Sequence, residues 1–332
     1  MLVDSFGRVL DYLRVSITDR CNLRCFYCMP PEGVKWKPHE NMLSFEEIIR
    51  IVMVMADLGV RKIRVTGGEP LLRRGAPAFI NSLKAIAGIE KVTLTTNGLL
   101  LGKYLDEAAV REPYSLPDGV NISMDALDSE RYKIITRNME ANPETIVPLI
   151  DRLLEKNITV KINCVPVRSV NEEDILLLAN LAKHKNIAVR FIELMALGTA
   201  SSFQPVPGGE VAALIEKTCG QLTPFTGIDG SGPAVYYSIP GFTGKIGFIN
   251  PISHGFCETC SRLRLSSEGF LKLCLSSDLG IDLRALLRSG ASNGDLAQAI
   301  IGAIAKKPQF HSFSGVYGVT EPHSHGMSAI GG

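Results

Sequence analysis

The sequence predicts an α/β protein whose parallel sheet curves into an open barrel. Three observations predict it. Strand-like and helical segments alternate over the first two-thirds of the 332 residues, polar residues follow one face of the strands, and six of the eight cysteines fall in two tight clusters. Six strand–helix units in series are typical of a parallel sheet with right-handed crossovers.

Six segments have strand composition: residues 13–18, 62–66, 91–96, 119–126, 159–167 and 188–194. Helices are expected between them. Ser44 and Glu47 predict a capping box for a helix that ends near residue 59. Asn142 before Pro143 predicts an N-cap with proline at the first helical position. Asn171 predicts the start of a further helix, rich in Ile and Leu.

The alternation of strand-like and helical segments stops after residue 195. Residues 198–209 are rich in Gly, Ser and Pro and predict a linker or loop. Two later helices are predicted, one from about Asp282 that Gly290 closes and one from about Ser292. We therefore expect a barrel over residues 1–195 and a separate region over residues 196–332.

The phase of the strands predicts which face is the interior. Side chains alternate faces along a strand, and polar residues share one phase on five strands, among them Arg14, Arg64, Thr95, Ser123 and Lys161. The alternate positions are aliphatic and are expected to pack on helices. A filled eight-stranded barrel has a bulky aliphatic interior. A polar, partly cationic interior predicts an open barrel around an anionic ligand, with a doubly wound sheet as the alternative.

Composition and charge narrow the class of function. Hydrophobic residues make up 45% of the chain, and 35 Lys+Arg against 34 Asp+Glu give a formal net charge of +1. This predicts a full hydrophobic core and disfavours a protein that binds nucleic acid by charge. Neither a secretory signal nor an apolar stretch long enough to cross a bilayer is visible, so we expect a cytoplasmic protein without a membrane partner.

The first cysteine cluster, Cys21, Cys25 and Cys28, occupies a loop directly after the first strand. Thiolates favour zinc, copper(I) or iron–sulfur centres. A structural zinc site usually has four ligands in two separated pairs, whereas the nearest histidine, His39, lies eleven residues beyond Cys28. Three cysteines on a four-iron cluster leave one iron open to another ligand. A zinc loop is the alternative.

This Cys-x₃-Cys-x₂-Cys loop, with Tyr27 before its third cysteine and Gly-Gly-Glu-Pro at residues 67–70, resembles the radical S-adenosylmethionine (SAM) superfamily. The resemblance implies a partial (β/α)₆ barrel of the TIM type with its site at the C-terminal mouth of the strands. It implies a [4Fe–4S] cluster on these cysteines, with SAM on the open iron and a 5′-deoxyadenosyl radical as reagent. It also implies SAM contacts from Tyr27, Gly68, Thr95, Ser123 and Met195.

A second trio, Cys257, Cys260 and Cys274, again lacks a fourth cysteine, although His254 could complete a zinc site. Its spacing, the sequence Ser-Arg-Leu-Arg at residues 261–264 and the final two glycines, Gly331 and Gly332, resemble the GTP 3′,8-cyclase family of molybdenum cofactor biosynthesis. The resemblance implies a C-terminal extension in which this trio holds a second [4Fe–4S] cluster that binds guanine. It also implies that the two glycines thread into the site.

A triphosphate is best bound by guanidinium forks and point charges. By resemblance, the GTP-binding residues are Arg14, Arg64, Lys161, Arg262 and Arg264, of which Arg14, Arg262 and Arg264 are the catalytic candidates; Lys62 and Arg190 are weaker ones. Cys164 and Cys219 are expected to be plain thiols, and His323 and His325 to be tail residues.

The resemblance implies two [4Fe–4S] clusters and SAM as cofactors and GTP as substrate. The expected product is 3′,8-cyclo-7,8-dihydro-GTP, passed to cyclic pyranopterin monophosphate synthase, and the electrons come from an external donor. A homodimer is a further expectation. Two alternatives stay open on the residues alone: a radical SAM enzyme acting on another substrate, such as a peptide, and a zinc-stapled nucleotide- or RNA-binding protein.

Overall fold

The computed structural model describes residues 1–35, 37–110, 116–195, 198–227 and 232–312. The predicted tail glycines Gly331 and Gly332, and the histidines His323 and His325, lie outside these residues. No helix within the described residues is both long and apolar enough to cross a membrane.

Six parallel strands form the centre of one sheet, which confirms the predicted alternation. They are β1 (Tyr12–Ser16), β2 (Lys62–Thr66), β3 (Lys91–Thr96), β4 (Gly119–Ser123), β5 (Thr159–Cys164) and β6 (Ala188–Ile192). The intervening helices are α1 (Phe45–Asp57), α2 (Ala76–Lys84), α3 (Leu101–Val110), α4 (Ser129–Thr136), α5 (Val147–Glu155) and α6 (Asp174–His184).

Four strands end two or three residues before the predicted limit, because the chain turns there into the loops that carry the site.

The predicted helix starts are partly confirmed. The capping box of Ser44 and Glu47 forms as predicted. Asn142 caps a 3₁₀ turn, Pro143–Thr145, directly before α5. Asn171 does not start α6: its side chain accepts from the Val167 amide and donates to the Asp125 carbonyl, so it holds the preceding turn instead.

The remaining chain adds elements to both edges of the sheet. They are α7 (Gly208–Cys219), β7 (Thr223–Phe225), β8 (Val235–Ser238), β9 (Lys245–Ile249), β10 (Arg262–Leu265), β11 (Phe270–Lys272), β12 (Gly280–Asp282), α8 (Leu283–Arg288) and α9 (Asn293–Ile304). The predicted caps Asp282 and Ser292 start the last two helices, and Gly290, with φ +87°, follows the first.

The region beyond residue 195 therefore continues the sheet. β9 pairs parallel with β6, and β10 pairs parallel with β1, giving the order β12-β11-β10-β1-β2-β3-β4-β5-β6-β9-β8-β7. The predicted linker over residues 198–209 is wrong at both ends, where a 3₁₀ helix covers Gly198–Ser202 and α7 starts at Gly208. Pro207 directly precedes α7, so the Gly and Pro residues mark a helix start.

The predicted phase of the strands is confirmed. Ile63, Val65 and Leu94 are fully buried in the hydrophobic core beneath the helices. Polar side chains of the opposite phase, such as Arg64 and Thr95, line two cavities on the inner face. The curved sheet thus presents its polar face to the interior.

Candidate active site

The first cysteine loop lies at the C-terminal end of β1. Cys21, Cys25 and Cys28 line one cavity of about 210 Å³ together with Gly67 and Gly68, which follow β2. The Cys28 amide donates to the Cys25 carbonyl at 2.9 Å, so this part of the loop closes as a tight turn. The structure therefore brings the three thiols and the Gly-Gly sequence together, as the parallel topology predicts.

The three thiols favour the protonated form in the protein alone. Burial, together with Cys21 and Asp125 nearby, raises the pKa of the Cys28 thiol to about 12. Burial and the same carboxylate raise the pKa of the Cys25 thiol well above its ordinary value. Thiolate ligands at such positions become stable only with a cationic centre bound to them, and binding releases their protons. The donor set therefore fits an iron–sulfur cluster.

The five predicted SAM-binding residues all line this cavity: Tyr27, Gly68, Thr95, Ser123 and Met195. The buried Thr95 hydroxyl has no hydrogen-bond partner among the described residues. An unpartnered buried hydroxyl is costly, which indicates that it faces a polar ligand. The cavity thus fits SAM, although individual contacts to SAM stay predictions.

Two buried carboxylates organise the cavity. Glu69 accepts from the Leu71 and Asn97 amides and from the Thr96 hydroxyl, which fixes the Gly-Gly turn. Burial raises the pKa of Glu69 to about 7, although these hydrogen bonds oppose the shift. Asp125 accepts from the Tyr27 hydroxyl at 2.6 Å, and burial raises its pKa to about 6. Asp125 therefore positions the aromatic residue of the cysteine loop.

Gly68 is required by the close approach of two loops. A Cβ atom at this position would lie 2.3 Å from the Arg20 carbonyl oxygen. We expect Gly68→Ala to displace the Gly-Gly turn, destabilise the protein by about 2 kcal/mol and reduce SAM affinity at least about tenfold, because overpacking typically costs 1–3 kcal/mol. Isothermal calorimetry with SAM and thermal melts measure both effects.

Gly302→Ala is the matched control, since a Cβ in that part of α9 meets nothing within 4 Å. In a helix interior this change is expected to stabilise the protein by up to about 1 kcal/mol. Equal SAM affinity in the Gly68 variant and the control would contradict the assignment of the turn to the cofactor site.

The second cysteine set lines a neighbouring cavity of about 170 Å³. Cys257, Cys260 and Cys274 share it with Arg262, whose Nη2 donates to Cys260 Sγ at 3.7 Å. Burial alone would raise the pKa of the Cys260 thiol, but Arg262 and Lys307 nearby lower it overall. Cys260 therefore lies in a cationic environment, unlike Cys25 and Cys28 of the first set.

Three arginines lie side by side across the inner face of the sheet. Arg14 on β1 is in register with Arg64 on β2 and with Arg264 on β10. Burial and repulsion from Arg264 and Arg64 lower the pKa of Arg14 well below its usual value, and burial and Arg262 lower the pKa of Arg264 to about 10. Clustered buried guanidiniums raise one another's energy, and a polyanion relieves this.

Three further cations take different places: the predicted GTP-binding residue Lys161 and the two weaker candidates, Arg190 and Lys62. Arg190 is 3% exposed, lines the second cavity and donates to Asn163 and Asn121. Lys161 is not among the described residues that line either cavity, and its ammonium lies 5.7 Å from the ring centre of Tyr236. Lys62 pairs with Asp11 at 3.0 Å.

The two cavities adjoin. Asn163, Ile192 and Met195 line both of them. Met195, predicted at the SAM site, is therefore also a wall of the arginine-lined cavity. A ligand of the first cavity and a ligand of the second would meet across these three side chains.

The arrangement of the cysteines bears on the kind of centre they could hold. Within the described residues, no three His, Cys, Asp or Glu side chains are grouped as a site for one metal ion. Cysteines of a four-iron cluster bind different irons and need not converge. Of the other thiols, Cys164 is buried beside Asn171, and Cys219 ends α7.

Comparison with known proteins agrees with this geometry. A model of the Radical SAM superfamily matches residues 15–182, and a model of Molybdenum Cofactor Synthesis C matches residues 187–313. The chain is 42% identical over 313 residues to a GTP 3′,8-cyclase of Clostridium perfringens (strain SM101 / Type A), covering 93% of this chain and 94% of that protein. A GTP 3′,8-cyclase of Pelotomaculum thermopropionicum is 44% identical over 316 residues, covering 93% and 94%. A third, from Moorella thermoacetica, is 42% identical over 335 residues, covering 99% of both chains.

The chain belongs to the GTP 3′,8-cyclase family. As a radical SAM protein it uses SAM and iron–sulfur chemistry. Among solved structures, SuiB of Streptococcus suis bound to S-adenosylmethionine matches with a TM-score of 0.61 at 15% identity, covering 90% of this chain and 68% of that one. SuiB bound to the precursor peptide SuiA matches with a TM-score of 0.59 at 16% identity, covering 91% and 66%. These likenesses concern the fold of this cyclase-family chain.

Three residues of this cyclase-family site were assigned no role from the sequence. Asp125 and Asn163 share the polar phase of their strand segments, which could have predicted that they face the interior. Glu69 is the third residue of the Gly-Gly-Glu-Pro sequence. Their hydrogen bonds run to residues distant in sequence, such as Tyr27 and Arg190, so only the folded chain identifies their partners.

Proposed function

We propose that this chain converts GTP to 3′,8-cyclo-7,8-dihydro-GTP, the first step of molybdenum cofactor biosynthesis. One observation carries the proposal: the arginine-lined cavity with a cysteine set shares a wall with the cavity that fits SAM. Membership of the GTP 3′,8-cyclase family supports it.

The overall conversion removes the hydrogen at C3′, joins C3′ to C8 of guanine, and adds one electron and one proton. When bound, the first cluster and SAM supply a one-electron cleavage that generates a hydrogen-abstracting radical. The chain's own residues bind GTP, orient C3′ toward the first cavity and exclude water. Ile192 and Met195 provide apolar surface at the boundary where this transfer takes place.

The arginines divide by position. Arg14, Arg64 and Arg264 form a row across β10, β1 and β2 and are proposed to bind the triphosphate. Arg262 lies against Cys260 and is proposed to contact the guanine end. Lys161 occupies the inward position two residues before Asn163 on β5, with its ammonium near the ring of Tyr236, and is proposed to contact GTP from there. Arg14, Arg262 and Arg264 remain the catalytic candidates.

The proposal includes features that only the resemblance implies. These are a second [4Fe–4S] cluster on Cys257, Cys260 and Cys274, entry of the Gly-Gly end into the site, an external electron donor, transfer of the product to cyclic pyranopterin monophosphate synthase, and a homodimer. It also includes the division of labour between residues 1–195 and 196–332 and a cytoplasmic location.

The test is an anaerobic assay of reconstituted protein with SAM, a reductant and GTP that carries deuterium at C3′. We expect 5′-deoxyadenosine that contains deuterium, formed together with the cyclised product. Protein incubated without GTP is the control for uncoupled SAM cleavage. Production of 5′-deoxyadenosine at the control rate and without deuterium would rule out the proposed reaction.

A further inference from the structure

A buried arginine in the N-terminal turn joins distant parts of the chain. Arg8 is 8% exposed, and its Nε donates to Asp4 Oδ2 at 2.6 Å. The other oxygen of Asp4 accepts from the amides of Phe6 and Arg8, at 2.9 and 3.0 Å. The turn therefore holds the Arg8 guanidinium in a fixed orientation.

The remaining nitrogens of Arg8 reach the second cysteine set. Nη1 donates to the carbonyl oxygens of Cys257 and Gln309, both at 2.8 Å, and Nη2 donates to that of Pro308 at 2.7 Å. Four of the five donors of the guanidinium are thus used. A lysine ammonium lacks this planar fork and cannot bridge the same set of acceptors.

Residues 307–312, which we name the C-terminal strap, cross the second cysteine set. At its start, Lys307 is 3% exposed and donates from Nζ to the carbonyl oxygens of Arg262, at 3.1 Å, and Leu273. Arg262 follows Cys260 by two residues, and Leu273 directly precedes Cys274. The strap thereby places a buried cation beside two of the three cysteines.

The end of the strap contacts the cysteine set through its backbone. The His311 amide donates to Cys257 Sγ at 3.3 Å. Ser312 bonds to Ser276 in two ways, from its amide at 2.9 Å and from its hydroxyl at 2.7 Å. The Ser276 hydroxyl in turn lies 3.4 Å from Cys274 Sγ. Amide and hydroxyl contacts to ligand sulfur are the type that tunes a cluster.

We propose that Arg8 is a positioning residue that locks the C-terminal strap onto the second cysteine set. Arg8 is not among the described residues that line the second cavity, so it acts through Cys257 and the strap. It keeps the His311 amide at Cys257 and the Lys307 ammonium between Arg262, the first residue of β10, and Leu273, which precedes Cys274. Its consequence for GTP rests on the proposed function; its role in holding the strap does not.

The test compares Arg8→Lys with Arg61→Lys in the full-length, anaerobically reconstituted protein. Arg61 is a matched control because it also donates to three backbone carbonyls, those of Ala56, Val60 and Gly88, away from both cavities. Hydrogen exchange of the segments around residues 257–260 and 308–312, iron release to a chelator, GTP affinity and the melting temperature are measured.

In Arg8→Lys we expect exchange of those two segments at least about tenfold faster, because local opening no longer breaks the guanidinium bonds. Half of the bound iron should be released about tenfold faster, and GTP should bind about tenfold more weakly. SAM affinity should stay within about twofold of the original protein. Asp4→Asn should reproduce the same pattern more weakly, which keeps the test informative if Arg8→Lys folds poorly.

Exchange, iron release and GTP affinity like those of the original protein would overturn the role of Arg8. An equal change in Arg61→Lys, or a uniform rise in exchange throughout the chain, would also overturn it, because the effect would then be general destabilisation. If the original protein fails to cyclise GTP, the proposed function fails, yet the exchange and iron-release measurements still decide the role of the strap.

Discussion

Cys25→Ala is expected to abolish reductive cleavage of SAM, with a loss of at least about 10³-fold, because residues that act as one unit lose nearly all function when one is removed. Cys25 lies between the other two thiols of its loop in sequence, and all three line the cavity that fits SAM. Bound iron should fall by about half. Anaerobic measurement of 5′-deoxyadenosine, with iron and sulfide analysis, checks both quantities.

Cys219→Ala is the matched control, since Cys219 lies at the end of α7 and lines neither cavity among the described residues. Its iron content and SAM cleavage should equal those of the original protein. Cleavage retained in Cys25→Ala at more than a few per cent would show that this loop does not hold the reactive cluster.

Arg264→Ala is expected to lower GTP turnover about 10²-fold while leaving iron content and SAM affinity unchanged. Two charged hydrogen bonds to phosphate are worth about 3 kcal/mol together, and each 1.4 kcal/mol is tenfold. Arg264 is 8% exposed and is in register with Arg14. Truncation also removes the positive charge of Arg264, which repels that of Arg14. The pKa of Arg14 should therefore rise, and the ligand-free protein should not lose stability.

Steady-state assays, iron analysis and thermal melts of the ligand-free protein separate these effects. Arg152→Ala, which removes an exposed arginine paired with Asp106 at 2.6 Å, should leave turnover within about twofold. Loss of about half of the iron in Arg264→Ala would instead assign this arginine to the integrity of the second cysteine set.

Local signals were enough to predict the barrel half of the molecule. The strand–helix alternation predicted six parallel strands. The period-two pattern of five of them predicted the inner face, because side chains alternate faces along a strand. Parallel topology also explains why the loop of Cys21 and the turn of Gly68 meet, since both follow strands at the same edge. The five residues that the resemblance predicts to bind SAM all line one cavity.

Long-range pairing could not be predicted from the same signals. β9 pairs with β6 and β10 pairs with β1, at opposite edges of the six-stranded core. Irregular segments connect them to the rest of the chain, so the strand–helix alternation could not predict these two strands. Arg8 donates to carbonyl oxygens of residues about 250 and 300 positions away. Nothing in the sequence around a single basic residue in a short N-terminal turn predicts such distant partners. Asparagine commonly caps helices, which is why Asn171 was predicted to start a helix. In the structure its side-chain amide instead donates to the Asp125 carbonyl.

The pairing of β1 with β10 has a consequence for synthesis on the ribosome. One edge of the first strand stays open until some 250 further residues have been translated. Contacts between such distant segments slow folding and prolong exposure of the unpaired edge. A nascent chain can therefore form its early cysteine loop long before the arginines of the last third arrive. Metal loading of the newborn enzyme should accordingly proceed in two stages.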